Sequence, residues 1–160
     1  MKYIVLFFTV FMLIYSSPVL CQDKSLPKST TAGNEKKLFS GVPNEVQSSC
    51  SQFLKSLIAG NVDKAFDDIL KNSPINKKIE QLKTLKTQTK KSMELYGFIK
   101  AYEPVSSETV GESMLRVRYL ALHDDFPMRW IFTFYNSPTR GLIVINIKFD
   151  DLSEYFFTDQ

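Results

Sequence analysis

Residues 113–135 read SMLRVRYLALHDDFPMRWIFTFY, and this stretch decides the fold. Apolar residues alternate with other residues on both sides of a short segment, residues 124–127, that is rich in turn formers. Alternation with a period of two predicts β-strands that bury one face. A turn composition of hairpin length between two such runs predicts that the strands pair antiparallel.

Working outward, the same alternation predicts four strands in an antiparallel meander, over residues 98–104, 113–123, 128–135 and 142–149. Parity divides each strand into two faces. The predicted inner face is apolar: Leu115, Val117, Tyr119, Ala121, Trp130, Phe132, Phe134, Ile143, Ile145, Ile147 and Phe149. The predicted outer face mixes apolar with basic residues: Leu120, Leu122, Ile131 and Val144 with Arg116, Arg118, Arg129 and Lys148.

Upstream of the strands, apolar residues recur every three or four positions, which predicts helices. The first helix begins near Asn44 and ends at Gly60, and the second follows from Asn61 to about Leu70. Ser73 and Pro74 begin a long third helix that reaches about residue 95, before Gly97. The fold class is therefore α+β, with three N-terminal helices packed on a four-stranded antiparallel sheet over residues 44–150.

The N-terminal residues 1–21 have the layout of a secretory signal peptide, with a basic start, an uncharged apolar run and a polar break. We expect a secreted or periplasmic protein without stable membrane insertion after cleavage; an uncleaved anchor is the alternative. Residues 22–43 form a predicted flexible linker and residues 151–160 a C-terminal tail. Cleavage after Cys21 leaves Cys50, which lies on an apolar helix face and is predicted to be buried and unpaired.

Charge and motifs narrow the function classes. The formal net charge of +3 does not predict a nucleic-acid partner, which usually requires a strongly basic face. A single histidine disfavours the common zinc sites, and the sequence carries no phosphate-binding glycine loop. We therefore predict no metal and no cofactor.

Residues 53–66, FLKSLIAGNVDKAF, consist of an amphipathic helix, a Gly-Asn break and a second short helix. This opening, with the long third helix and the late meander, resembles the NTF2-like (cystatin-like) α+β cone domains, in particular small exported members. The resemblance implies a curved sheet around a cone-shaped cavity, frequent dimers through the sheet, and either an isomerase, dehydratase or cyclase activity or binding alone. Its cavity would be lined here by Tyr96, Tyr119, Trp130, Phe132 and Phe134.

Catalytic groups are hard to find on the predicted inner face. His123 stands beside Asp124 and Asp125, which permits an acid–base unit, but the two aspartates suit a turn better. A carboxylate from Asp67 or Asp68 on the second helix is another candidate base.

We expect an exported, non-enzymatic domain that binds a small apolar ligand or a protein partner. The alternatives are a small NTF2-like isomerase or hydro-lyase, with His123 or a helix carboxylate as base, and a structural oligomerisation module. We also expect a homodimer through the outer sheet face, with Leu120, Leu122, Ile131 and Val144 at its interface and the C-terminal tail as the rival cover.

Overall fold

The computed structural model describes residues 39–157. The predicted signal peptide, most of the predicted linker and the last three residues of the tail lie outside this range. Within it, no helix has both the length and the apolar character needed to cross a membrane.

The described part of the chain is α+β, with the helices N-terminal to the strands, as predicted. Helix α1 spans Asn44–Ile58, α2 spans Val62–Ile69 and α3 spans Ile79–Tyr96. Gly60 and Gly97 follow α1 and α3 with φ of 76° and 81°, a left-handed conformation that glycine adopts without strain.

The third helix is shorter than predicted, because Pro74–Lys77 forms a separate 3-10 turn before α3. Ser73 caps this turn, as expected: its hydroxyl accepts a hydrogen bond from the Ile75 amide at 3.1 Å. The same hydroxyl donates to the Val144 carbonyl at 2.6 Å, which ties the turn to the last strand. The Lys86 ammonium of α3 pairs with Asp67 of α2 at 2.7 Å.

The four strands are β1 (Ala101–Val110), β2 (Met114–Leu122), β3 (Met128–Ser137) and β4 (Gly141–Asp150), and they form one antiparallel sheet in the order β1-β2-β3-β4. The predicted meander is thus confirmed. The first strand differs most from its prediction: it extends six residues beyond Pro104. The extension is rich in Ser, Thr and Glu, a composition typical of loops. Its residues 106–110 nevertheless pair with residues 114–118 of β2.

Two bulges modify the sheet edges. In β1 the register shifts between Pro104 and Ser106, so that Val105 has no partner on β2. In β4 it shifts at Ile145, because Thr133 pairs with Asn146 while Phe134 pairs with Val144. A bulge bends its strand and reverses the side-chain parity beyond it.

The core lies between the helices and one face of the sheet. Phe53 of α1 is its centre, with ring centroids 5.0 Å from Phe66, 5.2 Å from Trp130 and 5.3 Å from Phe132. Phe39 and Val42 are also buried in this core. The packed unit therefore includes the last residues of the segment 22–43, which we predicted to be a linker.

Candidate functional site

The side of the sheet opposite the helices is the main candidate surface. We call it the open face and define it by strand register, because partners in register project to the same side. Its members, grouped by cross-strand row, are Val110, Met114, Tyr135 and Ile143; Glu108, Arg116, Thr133 and Asn146; Ser106, Arg118, Ile131 and Lys148; Glu103, Leu120, Arg129 and Asp150.

Arg118 is the most unusual residue of the open face. It is only 4% exposed although α1, α2 and α3 pack on the other side of the sheet. One of its terminal nitrogens donates to the Ser106 hydroxyl at 2.9 Å and also pairs with the Glu108 carboxylate. The same carboxylate lies 3.5 Å from Arg116. A buried guanidinium is tolerated only when it is paired and hydrogen-bonded, so these contacts fix its position.

A second ion pair lies toward the other end of the open face. Arg129 donates to Asp150 at 2.8 Å, directly across the register of β3 and β4. The four basic residues predicted for the outer face, Arg116, Arg118, Arg129 and Lys148, all lie on the open face. The three arginines pair with acids on neighbouring strands. Glu108 carries much of this pairing and was missed by sequence reasoning, since it fell in the loop predicted for residues 106–112.

Three of the four predicted interface residues lie on or beside this face. Leu120 and Ile131 belong to its rows, Leu122 follows on β2, and all three are half-buried. The placement of Val144 is wrong: it is 4% exposed and belongs to the core. The bulge at Ile145 causes the error, because it shifts the parity of the preceding residues by one. Ile143 takes the position in register with Tyr135 instead, although its own side chain is only 6% exposed.

An apolar row closes one end of the open face. Val110 is 74% exposed at the end of β1 and pairs with Met114, which pairs in turn with Tyr135. Val110, Met114 and Arg116 help to line a shallow pocket of about 80 Å³. An exposed valine beside a paired arginine offers both apolar and charged contacts to a partner.

The predicted cavity residues lie in different surroundings. Tyr119, Trp130, Phe132 and Phe134 are at most 3% exposed and belong to the aromatic core, whereas Tyr96 is half-buried at the end of α3. Five pockets lie within residues 39–157 that neither Trp130 nor Phe132 lines. Phe134 reaches a pocket of about 170 Å³ between α1, α2 and β4, and Tyr119 one of about 20 Å³.

His123 is held in a structural role. Its Nδ1 lies 2.7 Å from the Gly97 carbonyl, and its Nε2 is buried without a hydrogen-bond partner among the described residues. Asp124 pairs with Lys100 at 3.2 Å, and the Asp125 amide donates to the Tyr96 carbonyl at 3.3 Å. The two aspartates thus lie in the β2–β3 loop, as the turn interpretation predicts.

The carboxylates of α2 are committed to surface ion pairs. Asp68 pairs with Lys64 at 2.6 Å, and Asp67 pairs with Lys86. Hydrogen bonding from Lys90 lowers the pKa of the Asp63 carboxyl, which keeps it ionised. None of these groups faces the aromatic core. Within residues 39–157, no three His, Cys, Asp or Glu side chains come together in a way that could hold a metal ion.

Comparison of the chain with protein-family models, curated proteins and solved structures finds no match.

Proposed function

We propose that this protein is a non-enzymatic binding domain that associates through the open face of its sheet, in the first place with a second copy of itself. The observation that carries the proposal is Arg118, a guanidinium that is buried on the sheet face opposite helices α1–α3 and is held by Glu108 and Ser106. A face whose charged side chains are already held by pairs within the chain loses little side-chain entropy on binding, which favours association through it.

The sheet edges support association through the face. Proteins protect exposed strand edges against pairing with other chains by bulges, prolines and covering segments. The β1 edge carries Pro104 and the bulge at Val105, and the β4 edge carries the bulge at Ile145 beside the 3-10 turn. Strand addition at either edge is therefore unfavourable, and the face offers the longer regular surface.

A second copy fits this face by charge and symmetry. The face carries both signs of charge, so a two-fold axis can set the arginines of one copy against the acids of the other. Four strands about 4.8 Å apart and 9 or 10 residues long span roughly 19 by 30 Å. That area of about 570 Å² is nearly a third below the ~800 Å² per partner of a standard interface, which predicts a reversible dimer of moderate affinity.

We further propose that the fold is an NTF2-like cone, in which a dimer through the sheet is expected. The order of three helices and a meander supports this proposal, and so do the two bulges, which bend their strands. A small apolar ligand is the weaker alternative, since Phe53, Trp130 and Phe132 fill the centre of the interior with each other. An isomerase or hydro-lyase is weaker still, because His123 and the α2 carboxylates are occupied elsewhere.

Sedimentation velocity tests the dimer. Val110→Asp places a charge at a residue 74% exposed on the open face, and Ile79→Asp makes the same change at a residue 71% exposed on α3. Both side chains are exposed in the monomer, so neither change should unfold it. We expect wild type and Ile79→Asp to sediment as dimers at tens of micromolar, and Val110→Asp and Leu120→Asp to sediment as monomers. A monomeric wild type, or equal dimerisation of both exposed-site variants, refutes the proposal.

A further inference from the structure

The C-terminal segment folds back onto the body of the protein. After β4, Ser153–Tyr155 forms a 3-10 turn. The Arg129 guanidinium donates to the Tyr155 carbonyl at 2.7 Å and lies 5.5 Å from the centroid of the Tyr155 ring. Its other terminal nitrogen holds Asp150. One arginine thus recognises a backbone carbonyl and an aromatic ring of the tail while an acid of β4 keeps it in place.

A second set of contacts involves aromatic rings. The Phe126 ring lies 6.4 Å from the Phe156 ring of the tail and 5.8 Å from the Tyr96 ring. The Tyr96 hydroxyl donates to the Asp151 carboxylate. We call Tyr96, Phe126 and Arg129 the tail site. They come from α3, the β2–β3 loop and β3, so the site exists only in the folded protein.

The tail is held by few contacts. Tyr155 is 39% exposed, Leu152 45% and Phe157 91%, and only Phe156 of residues 151–157 is partly buried. A segment with so little buried surface opens at a small fraction of the free energy of global unfolding. The tail site is therefore accessible by local opening while the core stays folded.

We propose that the tail site is a recognition site for an extended acidic peptide segment with neighbouring aromatic residues, and that the chain's own tail is its intramolecular occupant. Residues 150–160, DDLSEYFFTDQ, contain four acids, three aromatics and no basic residue. The contacts of this segment define what an external partner must supply: an aromatic ring for Phe126, a ring and a carbonyl for Arg129, and a carboxylate for the Tyr96 hydroxyl. The partner is a protein segment of that chemistry.

When the chain's own tail occupies the tail site, the apparent affinity of the protein for an external peptide is lower. A site that is free for only a fraction of the time binds an external ligand more weakly by that fraction. If the tail occupies the site for about nine-tenths of the time, releasing the tail improves the apparent affinity about tenfold. The tail therefore acts as a competitor built into the chain. The tail site shares Arg129 with the open face, so the tail covers one end of that face. The inference is tested separately from the sheet dimer, because its ligand is a peptide and its readout is peptide binding.

Fluorescence anisotropy with a labelled peptide of sequence DDLSEYFFTDQ tests the proposal on the full chain. The double variant Tyr155→Ala/Phe156→Ala releases the tail, and Phe157→Ala is the matched control because that side chain is 91% exposed. We expect the peptide to bind the double variant about tenfold more tightly than wild type or Phe157→Ala. Adding Phe126→Ala to the double variant should abolish binding.

Two results overturn the proposal. One is the absence of peptide binding to the double variant at millimolar concentration, with the emission of the buried Trp130 showing that the protein is folded. The other is equal binding of a scrambled peptide of the same composition, which would indicate attraction by charge alone.

Discussion

Removing the Glu108 carboxylate tests how the open face is organised. Its partner Arg118 has a side chain only 5% exposed, whereas Glu108 itself is 40% exposed. Breaking a fully buried ion pair costs about 3–5 kcal/mol, and an exposed pair contributes at most about 1 kcal/mol. Water can partly replace Glu108, and Arg118 keeps its bond to Ser106. We therefore expect Glu108→Ala to lower the free energy of unfolding by about 2 kcal/mol.

Urea unfolding at about 1 µM, a concentration chosen to keep the protein monomeric, measures this loss. Trp130 is the only tryptophan and is 1% exposed, so its emission reports on core opening. Asp68→Ala is the matched control, because it breaks an exposed pair with Lys64 and should cost less than about 0.5 kcal/mol. Adding Arg118→Met to Glu108→Ala should restore most of the lost stability, since the buried charge is then removed together with the carboxylate that balanced it. A Glu108→Ala variant as stable as the control would refute the reasoning.

Three further predictions concern the core and the tail. Cys50 is free and fully buried, and burial raises the pKa of its thiol well above the ordinary value, so a thiol reagent should modify Cys50 slowly in native protein and rapidly in urea. Phe53→Ala should lower the free energy of unfolding in urea by about 3–5 kcal/mol, because it removes a buried ring. Phe98→Ala, at a residue 58% exposed, should lower it by less than about 0.5 kcal/mol. The hydrogen bond to Asp151 raises the pKa of Tyr96, so its stabilisation is present below pH ~10 and is lost as pH rises through the raised value. The tail should therefore become more sensitive to protease at alkaline pH in wild type, and Tyr96→Phe should show no such pH dependence.

The sequence was sufficient for the fold class because its two periodicities are separated along the chain. The 3.6-residue repeat around Phe53 and the alternation around Trp130 each arise from a single buried face. Cys50 was placed correctly for the same reason: it lies on the apolar stripe of α1 and is fully buried there. The cap predicted at Ser73 is also confirmed, because its hydroxyl accepts a hydrogen bond from the Ile75 amide.

The details of the candidate site were less predictable, because they depend on tertiary pairing. Parity placed Leu120 and Ile131 correctly but failed for Val144, since no local residue type announces the bulge at Ile145. Glu108 and Val110 have a loop-like setting in sequence and become strand residues only by pairing with β2. Arg129 contacts Tyr155 of the tail, 26 residues further along the chain. A contact of this kind produces no periodic pattern in the sequence.

The distance between labels on two copies tests the proposed dimer most directly. In a chain that carries Cys21→Ser, spin labels at Lys148→Cys report on the open face and labels at Lys64→Cys on the exposed side of α2, while buried Cys50 should not react. Facing sheets lie about 10 Å apart, and a helix layer adds about 10 Å on each side. We expect a dipolar distance between the Lys148→Cys labels that is shorter by roughly 20 Å than that between the Lys64→Cys labels. A shorter distance at Lys64→Cys, or no dipolar coupling at either position, would contradict it.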